Sequence, residues 1–324
     1  MHLFSPVAGL CWLTLTLTLS CASADMVKIE DFGPNPGELD MYVFVPDSLA
    51  QAVPLVVALH GCTQDAATYA RETGWNDLAT THGFVVVYPQ QRLRNNLQNC
   101  FSWFNEEDIN REQGEAKSIK SMIDYMAAQY PIDPQRIHVT GLSAGGCMTA
   151  VMLATYPEVF EAGAVMAGIP YKATTDISGA LPAMRGEVDQ SPEHWSALVA
   201  EQHPTYGGEY PRIAIFHGEK DPVVSRQNMN ELIEQWTYVH GLADTLPEEQ
   251  SAFDGNAQVT RLAYRDSAGR DLVLAYEVAD MGHAQAVNPG MGPKQGGATG
   301  KYAVDVDFFY TYWAAAFFGL IAGD

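Results

Sequence analysis

Gly141-Leu142-Ser143-Ala144-Gly145-Gly146 follows the apolar run Ile137-His138-Val139-Thr140 and leads into a helical stretch, Cys147–Tyr156. A serine flanked in this way, with a strand before it and a helix after it, has the context of a G-x-S-x-G nucleophile elbow. The two outer glycines have a steric task. Without a Cβ, Gly141 and Gly145 let the strand turn sharply into the helix and lift the serine over the sheet edge. The helix N-terminus then brings the Ala144 N–H to the point where negative charge develops on a substrate carbonyl oxygen. A glycine-rich turn with an incidental serine would look the same, so the rest of the chain has to decide.

Short apolar, β-rich runs recur on both sides of this turn, at Met41–Val45, Pro54–Leu59, Phe84–Tyr88, Arg136–Thr140, Ala162–Met166, Arg212–Phe216 and Leu272–Val278. Several are apolar on successive residues, as strands covered on both faces must be. Helix-like stretches lie at Ala116–Gln129, Gly145–Tyr156, Gln227–Val239 and Val304–Phe318. This alternation predicts an α/β fold with a mostly parallel central sheet and helices on both faces. No repeat or linker interrupts it, so residues 25–324 are expected to form a single domain. Ala173–Tyr210 and the Gly/Pro-rich Ala284–Lys301 break the pattern and read as irregular segments, either substrate-facing loops or surface decoration.

The partners a serine nucleophile needs are present in a fixed order. Val56-Val57-Ala58-Leu59 runs into His60-Gly61-Cys62-Thr63-Gln64, an early strand end that would supply the second oxyanion N–H, from Cys62 or Thr63. His60 precedes the serine and reads as loop-shaping. Ile213-Ala214-Ile215-Phe216 leads to Asp221, with Glu219 as the rival acid and a plain turn aspartate as the alternative. Leu272–Val278 is followed by Ala279-Asp280-Met281-Gly282-His283. Ser143, Asp221 and His283 thus occur in the order of the α/β-hydrolase fold. A serine hydroxyl is a poor nucleophile until a neutral imidazole takes its proton, and a carboxylate fixes the imidazole tautomer and stabilises the imidazolium. No paired histidine or CxxC spacing suggests a metal site, and no GxGxxG follows an early strand, so neither a metal nor a nucleotide cofactor is expected.

The chain has 324 residues and a formal charge of −21, which argues against nucleic-acid or anionic-membrane partners and reads as the solvated surface of an exported protein. Its first 24 residues carry an apolar run, Leu10–Leu19, no Lys or Arg, and then Cys21-Ala22-Ser23-Ala24. That is expected to be a signal peptide cut after Ala24, since a membrane span needs about 20 apolar residues. Lipid attachment at Cys21 is a weaker alternative, because Thr18 stands where such sites usually carry Leu. The mature chain keeps Cys62, Cys100 and Cys147. An oxidising compartment lets two of them pair, and the loop positions of Cys62 and Cys100 favour that bridge over one to Cys147, placed on a buried helix.

With these motifs located, the chain resembles the extracellular poly(3-hydroxybutyrate) depolymerase family of esterases, which also holds feruloyl and acetylxylan esterases. The resemblance rests on Leu59-His60-Gly61-Cys62-Thr63-Gln64, Tyr88-Pro89-Gln90, Cys100-Phe101-Ser102-Trp103-Phe104, Gly141 to Gly146, His217-Gly218 with Asp221, and Met281-Gly282-His283. It implies a triad of Ser143, Asp221 and His283, oxyanion donors at Cys62 and Ala144, and a Cys62–Cys100 bridge pinning the oxyanion loop to the Trp103 loop. Trp103 and Thr63 become candidate substrate contacts, Trp103 standing equally well as a core tryptophan. Two departures matter: the family histidine is often followed by Ala-Trp-Pro, whereas Ala284-Gln285-Ala286 follows here, and the linker and surface-binding domain common in polymer-degrading members are not visible. The expected substrates are poly- or oligo(3-hydroxybutyrate) and related hydroxyalkanoates, then feruloyl or acetylxylan esters. A peptidase of the same fold and a non-catalytic exported binding protein complete the alternatives.

Overall fold

A computed structural model describes residues 26–321; the expected signal peptide and the Cys21 alternative fall outside them. Twelve strands are formed: β1 Val27–Ile29, β2 Asp40–Phe44, β3 Val53–Leu59, β4 Val85–Gln90, β5 Ile132–Leu142, β6 Ala162–Met166, β7 Arg212–Gly218, β8 Glu248–Gln250, β9 Val259–Arg265, β10 Asp271–Val278, β11 Gln285–Val287 and β12 Ala303–Asp305. The α-helices are α1 Ala66–Thr73, α2 Trp75–His82, α3 Glu106–Ile109, α4 Gly114–Gln129, α5 Ala144–Thr155, α6 Ile177–Met184, α7 Pro192–Ala200, α8 Gln227–Val239 and α9 Tyr310–Phe317. Ten strands make one sheet in the order β1-β2-β4-β3-β5-β6-β7-β10-β9-β8. From β4 to β10 every neighbouring pair is parallel, and the antiparallel pairs lie only at the two margins.

Burial explains why the central strands read as unbroken apolar runs. All seven residues of β3 and all five of β6 are buried, because helices cover both faces of the sheet. The alternation of side chains along β3 feeds two cores: Leu55, Val57 and Leu59 point to one, Val56 and Ala58 to the other. Helices α4, α5 and α8 close the first through Met122, Met148 and Trp236, and α1, α2 and α9 close the second through Tyr69, Trp75 and Tyr310. Every residue of α5 is buried, so this helix has no polar stripe at all. At the far edge β8, Glu248-Glu249-Gln250, is wholly exposed, and charge there discourages pairing with another chain.

Two expectations are corrected. The segment 173–210 is not irregular: it forms α6, capped by Asp176 accepting from Ser178 and Gly179 N–H, and α7, capped by Ser191 accepting from His194 N–H with Pro192 at its first turn. The helix expected from Val304 starts only at Tyr310, because Ala303–Asp305 is β12, paired in parallel with β11. That pairing draws the end of the Gly/Pro-rich segment back beside His283.

The strand order reverses direction between β3 and β5, since β4 lies on one side of β3 and β5 on the other. Ligand crevices of open α/β sheets form at the carboxyl ends of the strands at such a switch point. Leu59, ending β3, and Leu142, ending β5, therefore deliver the His60–Gln64 loop and Ser143 to one place.

Candidate active site

Ser143 sits at φ 56° and ψ −118°, between the last residue of β5 and the first of α5. Its N–H donates to Met166 O at 2.9 Å and its carbonyl accepts from Cys147 N–H at 2.8 Å, so the turn is held from both sides. A positive φ on a residue with a Cβ costs of order 1–3 kcal/mol and persists only where the surroundings impose it. Close packing imposes it here: a Cβ on Gly141 would stand 2.3 Å from Gly145 O, and one on Gly145 2.1 Å from Leu59 O. Both glycines are thus required for contact, at ordinary φ values, which is the steric reading of the motif.

The three residues named as a triad are brought into one hydrogen-bonded line. Ser143 Oγ lies 2.9 Å from His283 Nε2, and His283 Nδ1 lies 2.6 Å from Asp221 Oδ2. An ionised carboxylate can only accept, so Nδ1 carries the ring proton and Nε2 is left to accept from the serine hydroxyl. The second carboxylate oxygen accepts from Val223 and Val224 N–H at 2.8 and 2.9 Å. Burial alone would raise the Asp221 pKa, but the hydrogen bond and charge of His283 together with the Val224 and Val223 amides outweigh it and hold the carboxyl below its ordinary value. His217, fully buried beside it, donates through Nε2 to Val224 O at 2.9 Å, and burial pushes its pKa down. The rival Glu219 is exposed and accepts from Asp280 N–H at 3.2 Å, away from the imidazole. Gly218 lets the acid and histidine loops touch, since a Cβ there would meet Met281 O at 2.4 Å.

On the other side of the serine, Cys62 is disulfide-bonded to Cys100. Thr63 N–H is taken by Gln98 O at 2.6 Å, whereas neither Cys62 N–H nor Ala144 N–H donates to a backbone carbonyl among the described residues. Of the two expected donors, the Thr63 N–H is thus already bonded and the Cys62 N–H is not. His60 is buried, bonded through Nδ1 to Gly61 O at 2.8 Å and accepting at Nε2 from Gln91 N–H at 3.1 Å, and burial lowers its pKa to about 4. It is a neutral strut for the loop. Breaking the bridge, by Cys100→Ser or by reduction, frees a loop closed over a sequence separation of 38 residues, worth about 3–4 kcal/mol in the chain-entropy model. The expected result is a lower urea midpoint with a fall in kcat that exceeds any rise in KM, because the oxyanion loop loses its anchor; urea titration and kinetics with and without reductant check it.

Sequence reasoning missed the support beneath that anchor. Glu115 is buried at the start of α4, where it accepts from Ser102 N–H at 2.8 Å and from Gln91 Nε2, and Gln91 also donates to Cys100 O at 3.2 Å. Burial, with the charge of Asp108 behind it, raises the Glu115 pKa from 4.5 to about 8. A carboxyl raised in this way contributes stability that is complete below pH 4.5 and is lost as pH rises to about 8. Unfolding free energy should therefore decline across that interval with a slope of at most about 1.4 kcal/mol per pH unit, and Glu115→Gln should flatten it. Denaturant titrations at several pH values compare the two slopes.

Trp103 is 7% exposed and packed in the core at right angles to the Phe104 ring at 5.4 Å, so little of it is left to meet a substrate. Thr63 is exposed, and its hydroxyl meets Tyr302 OH at 3.1 Å and Lys301 Nζ at 3.5 Å. The Tyr302 ring lies 6.4 Å from that of His283. Neither Lys301 nor Tyr302 carried a signal in the sequence; the β11–β12 pairing brings them here. Cys147 is a free, buried thiol whose pKa burial pushes well up. A separate groove of about 1290 Å³ runs past Arg212, Arg261, Arg265 and Arg270 at the opposite ends of β7 and β10, away from the triad, and each of these arginines is paired with a carboxylate.

A family model described as esterase PHB depolymerase matches residues 39–256, a span that holds Ser143 and Asp221 and stops before His283. Poly(3-hydroxyalkanoate) depolymerase C of Paucimonas lemoignei is 45% identical over 296 residues, which are 91% of this chain and 70% of that protein. Feruloyl esterase B of Talaromyces stipitatus is 33% identical over 85% of this chain and 75% of its own length. Among solved structures, an acetyl xylan esterase from Aspergillus awamori superposes with a TM-score of 0.74 at 27% identity, covering 80% of this chain and 94% of that one.

Proposed function

Because the chain belongs to the PHB depolymerase family of esterases, we propose that it hydrolyses hydroxyalkanoate esters, poly- or oligo(3-hydroxybutyrate) first among them, through an acyl-serine intermediate. Ser143 Oγ attacks the ester carbonyl carbon while His283 Nε2 takes its proton, and Asp221 stabilises the imidazolium. The tetrahedral oxyanion accepts from the Cys62 and Ala144 N–H groups, each donor of this kind being worth about 10²–10³ in kcat. Collapse breaks the ester bond, and His283 returns the proton to the departing alcohol oxygen. A water then repeats the sequence on the acyl-serine and releases the acid.

The observation that carries this reading is the line Asp221–His283–Ser143, with contacts of 2.6 and 2.9 Å, beside the Cys62 and Ala144 amides, which donate to no backbone carbonyl among the described residues. We take residues 25–324 as one catalytic domain acting outside the cytoplasm, a location supported by the Cys62–Cys100 bridge. No helix among the described residues is long and apolar enough to cross a membrane.

A second reading, cleavage of feruloyl or acetylxylan esters, is favoured by the similarity to feruloyl esterase B and acetyl xylan esterase. The test is product release from amorphous poly(3-hydroxybutyrate), its oligomers, methyl ferulate and acetylated xylan by wild type and Ser143→Ala. Serine-dependent 3-hydroxybutyrate supports the first reading. Ferulate or acetate alone moves the enzyme to plant cell-wall esters, and no turnover of any ester removes the proposal.

A further inference from the structure

Lys301 has no carboxylate within 4.0 Å among the described residues, in a chain whose net charge is −21. Of its 18 Lys and Arg, only Arg136, Lys172 and Lys301 lie beyond 4.0 Å of every carboxylate among the described residues. Arg136, at the start of β5, instead donates to Gly319 O at 3.2 Å, and Lys172 lies over the Tyr171 ring. Lys301 alone of the three is tied to the candidate site. Its ammonium is exposed, sits 4.7 Å from the Tyr302 ring centroid and donates to Thr63 Oγ1 at 3.5 Å. Thr63 directly follows the oxyanion residue Cys62, and the Tyr302 ring is 6.4 Å from the His283 ring. The cation therefore stands between the oxyanion loop and Tyr302, and Tyr302 is on the histidine side of the serine.

That side has a defined chemical meaning. The histidine that takes the serine proton must return it to the leaving oxygen, so the alcohol half of the ester lies within hydrogen-bond reach of His283 Nε2. A group attached to that oxygen can reach Tyr302, whose ring is 6.4 Å from that of His283, and Lys301 beside it. In a 3-hydroxyalkanoate oligomer the leaving alcohol is itself a hydroxy acid, and when it is the last unit it carries a free carboxylate only a short C3–C2 segment away. In an acetylxylan or feruloyl ester the alcohol is a neutral sugar hydroxyl. An ammonium rewards the first alcohol and is indifferent to the second. The overall negative field of the protein opposes any anionic substrate, so recognition of a carboxylate calls for a local cation of this kind.

Resting on the polyester reading above, we infer that Lys301, framed by Tyr302 and Thr63, forms a subsite for the free carboxylate of the terminal unit, so that short oligomers are cleaved from their carboxyl end. The bond broken is the ester joining that last unit, which departs as the free hydroxy acid with its hydroxyl proton supplied by His283. Tyr302 contributes a flat apolar wall to the same unit.

The test compares the linear 3-hydroxybutyrate dimer with its methyl ester, which differ only in the terminal charge, on wild type, Lys301→Ala, Lys301→Gln and Lys301→Arg. Wild type is expected to favour the free acid about two- to fivefold in kcat/KM, through KM and less so at high salt, as befits one solvent-exposed ion pair. The ratio should fall to near one in the Ala and Gln variants and largely return with Arg. A wild-type ratio near one, or an equal loss on both dimers in the variants, overturns the subsite while leaving the polyester reading intact. Failure of wild type to cleave either dimer, with ferulate or acetate esters still hydrolysed, removes the polyester reading and the subsite with it.

Discussion

Replacing Ser143 with alanine is expected to lower kcat on a neutral chromogenic ester such as 4-nitrophenyl butyrate on the order of 10⁴- to 10⁶-fold while leaving the fold in place. The free thiol on α5, Cys147, does not stand in for the hydroxyl, because it is buried and held protonated. Asp221→Asn should cost about 10⁴-fold by turning the imidazole to the wrong tautomer, and combining it with Ser143→Ala should add little, since members of such a line fail together. Stability moves the other way. Ser143 holds φ 56°, so Ser143→Gly should unfold at higher denaturant than Ser143→Ala by about 1 kcal/mol, because glycine tolerates the left-handed region. Activity assays and urea titrations on wild type and these four variants read both effects. Activity retained above about 1% in Ser143→Ala, against the 10⁴-fold expectation, would place the nucleophile elsewhere and dissolve the proposed mechanism.

The elbow was legible because its requirements are local. Gly141, Gly145 and the helix behind them are dictated by contacts within a few residues, and the strands around them announce themselves as fully apolar because helices cover them on both sides. Asp221 and His283 were legible through chain order alone, each following a strand that ends at the same sheet edge. What lay beyond reach depends on pairing between distant segments. Lys301 and Tyr302 reach the site through a three-residue parallel bridge, β11 with β12, which no periodicity in Ala303-Val304-Asp305 could announce and which a helical reading from Val304 overwrote. Gln91 and Glu115 escaped for a related reason. An acid at the start of an amphipathic helix reads as solvated, and only the arrival of Ser102 and Cys100 over it reveals a buried strut. Helices α6 and α7 were lost because each has nine residues or fewer and its start signal is a single capping side chain, Asp176 or Ser191.

Gly145→Ala sets two physical tendencies against each other and so weighs how firmly the elbow is packed. Alanine in a helix is favoured over glycine by about 0.5–1 kcal/mol, so helix propensity alone predicts a more stable protein. The added methyl, however, would stand 2.1 Å from Leu59 O and 2.6 Å from His60 O. Those are backbone atoms at the end of a fully buried central strand, with no flexible side chain to yield, so β3 and α5 must separate. Overpacking commonly costs about 1–3 kcal/mol, and a clash with rigid backbone belongs at or above the top of that range, well beyond the propensity gain. The segments pushed apart carry the two amides proposed as oxyanion donors, Cys62 on the loop after β3 and Ala144 at the head of α5. Separating them should lower kcat by at least the 10²–10³ attached to one donor, with KM less affected. Gly207→Ala, where a Cβ meets nothing within 4 Å, is the matched control and should stay within about 0.5 kcal/mol of wild type. Urea midpoints and kcat for the pair decide the matter. A Gly145→Ala protein as stable and active as wild type would mean that α5 does not press against the end of β3, and the close approach that forces Ser143 into its left-handed turn would need another cause.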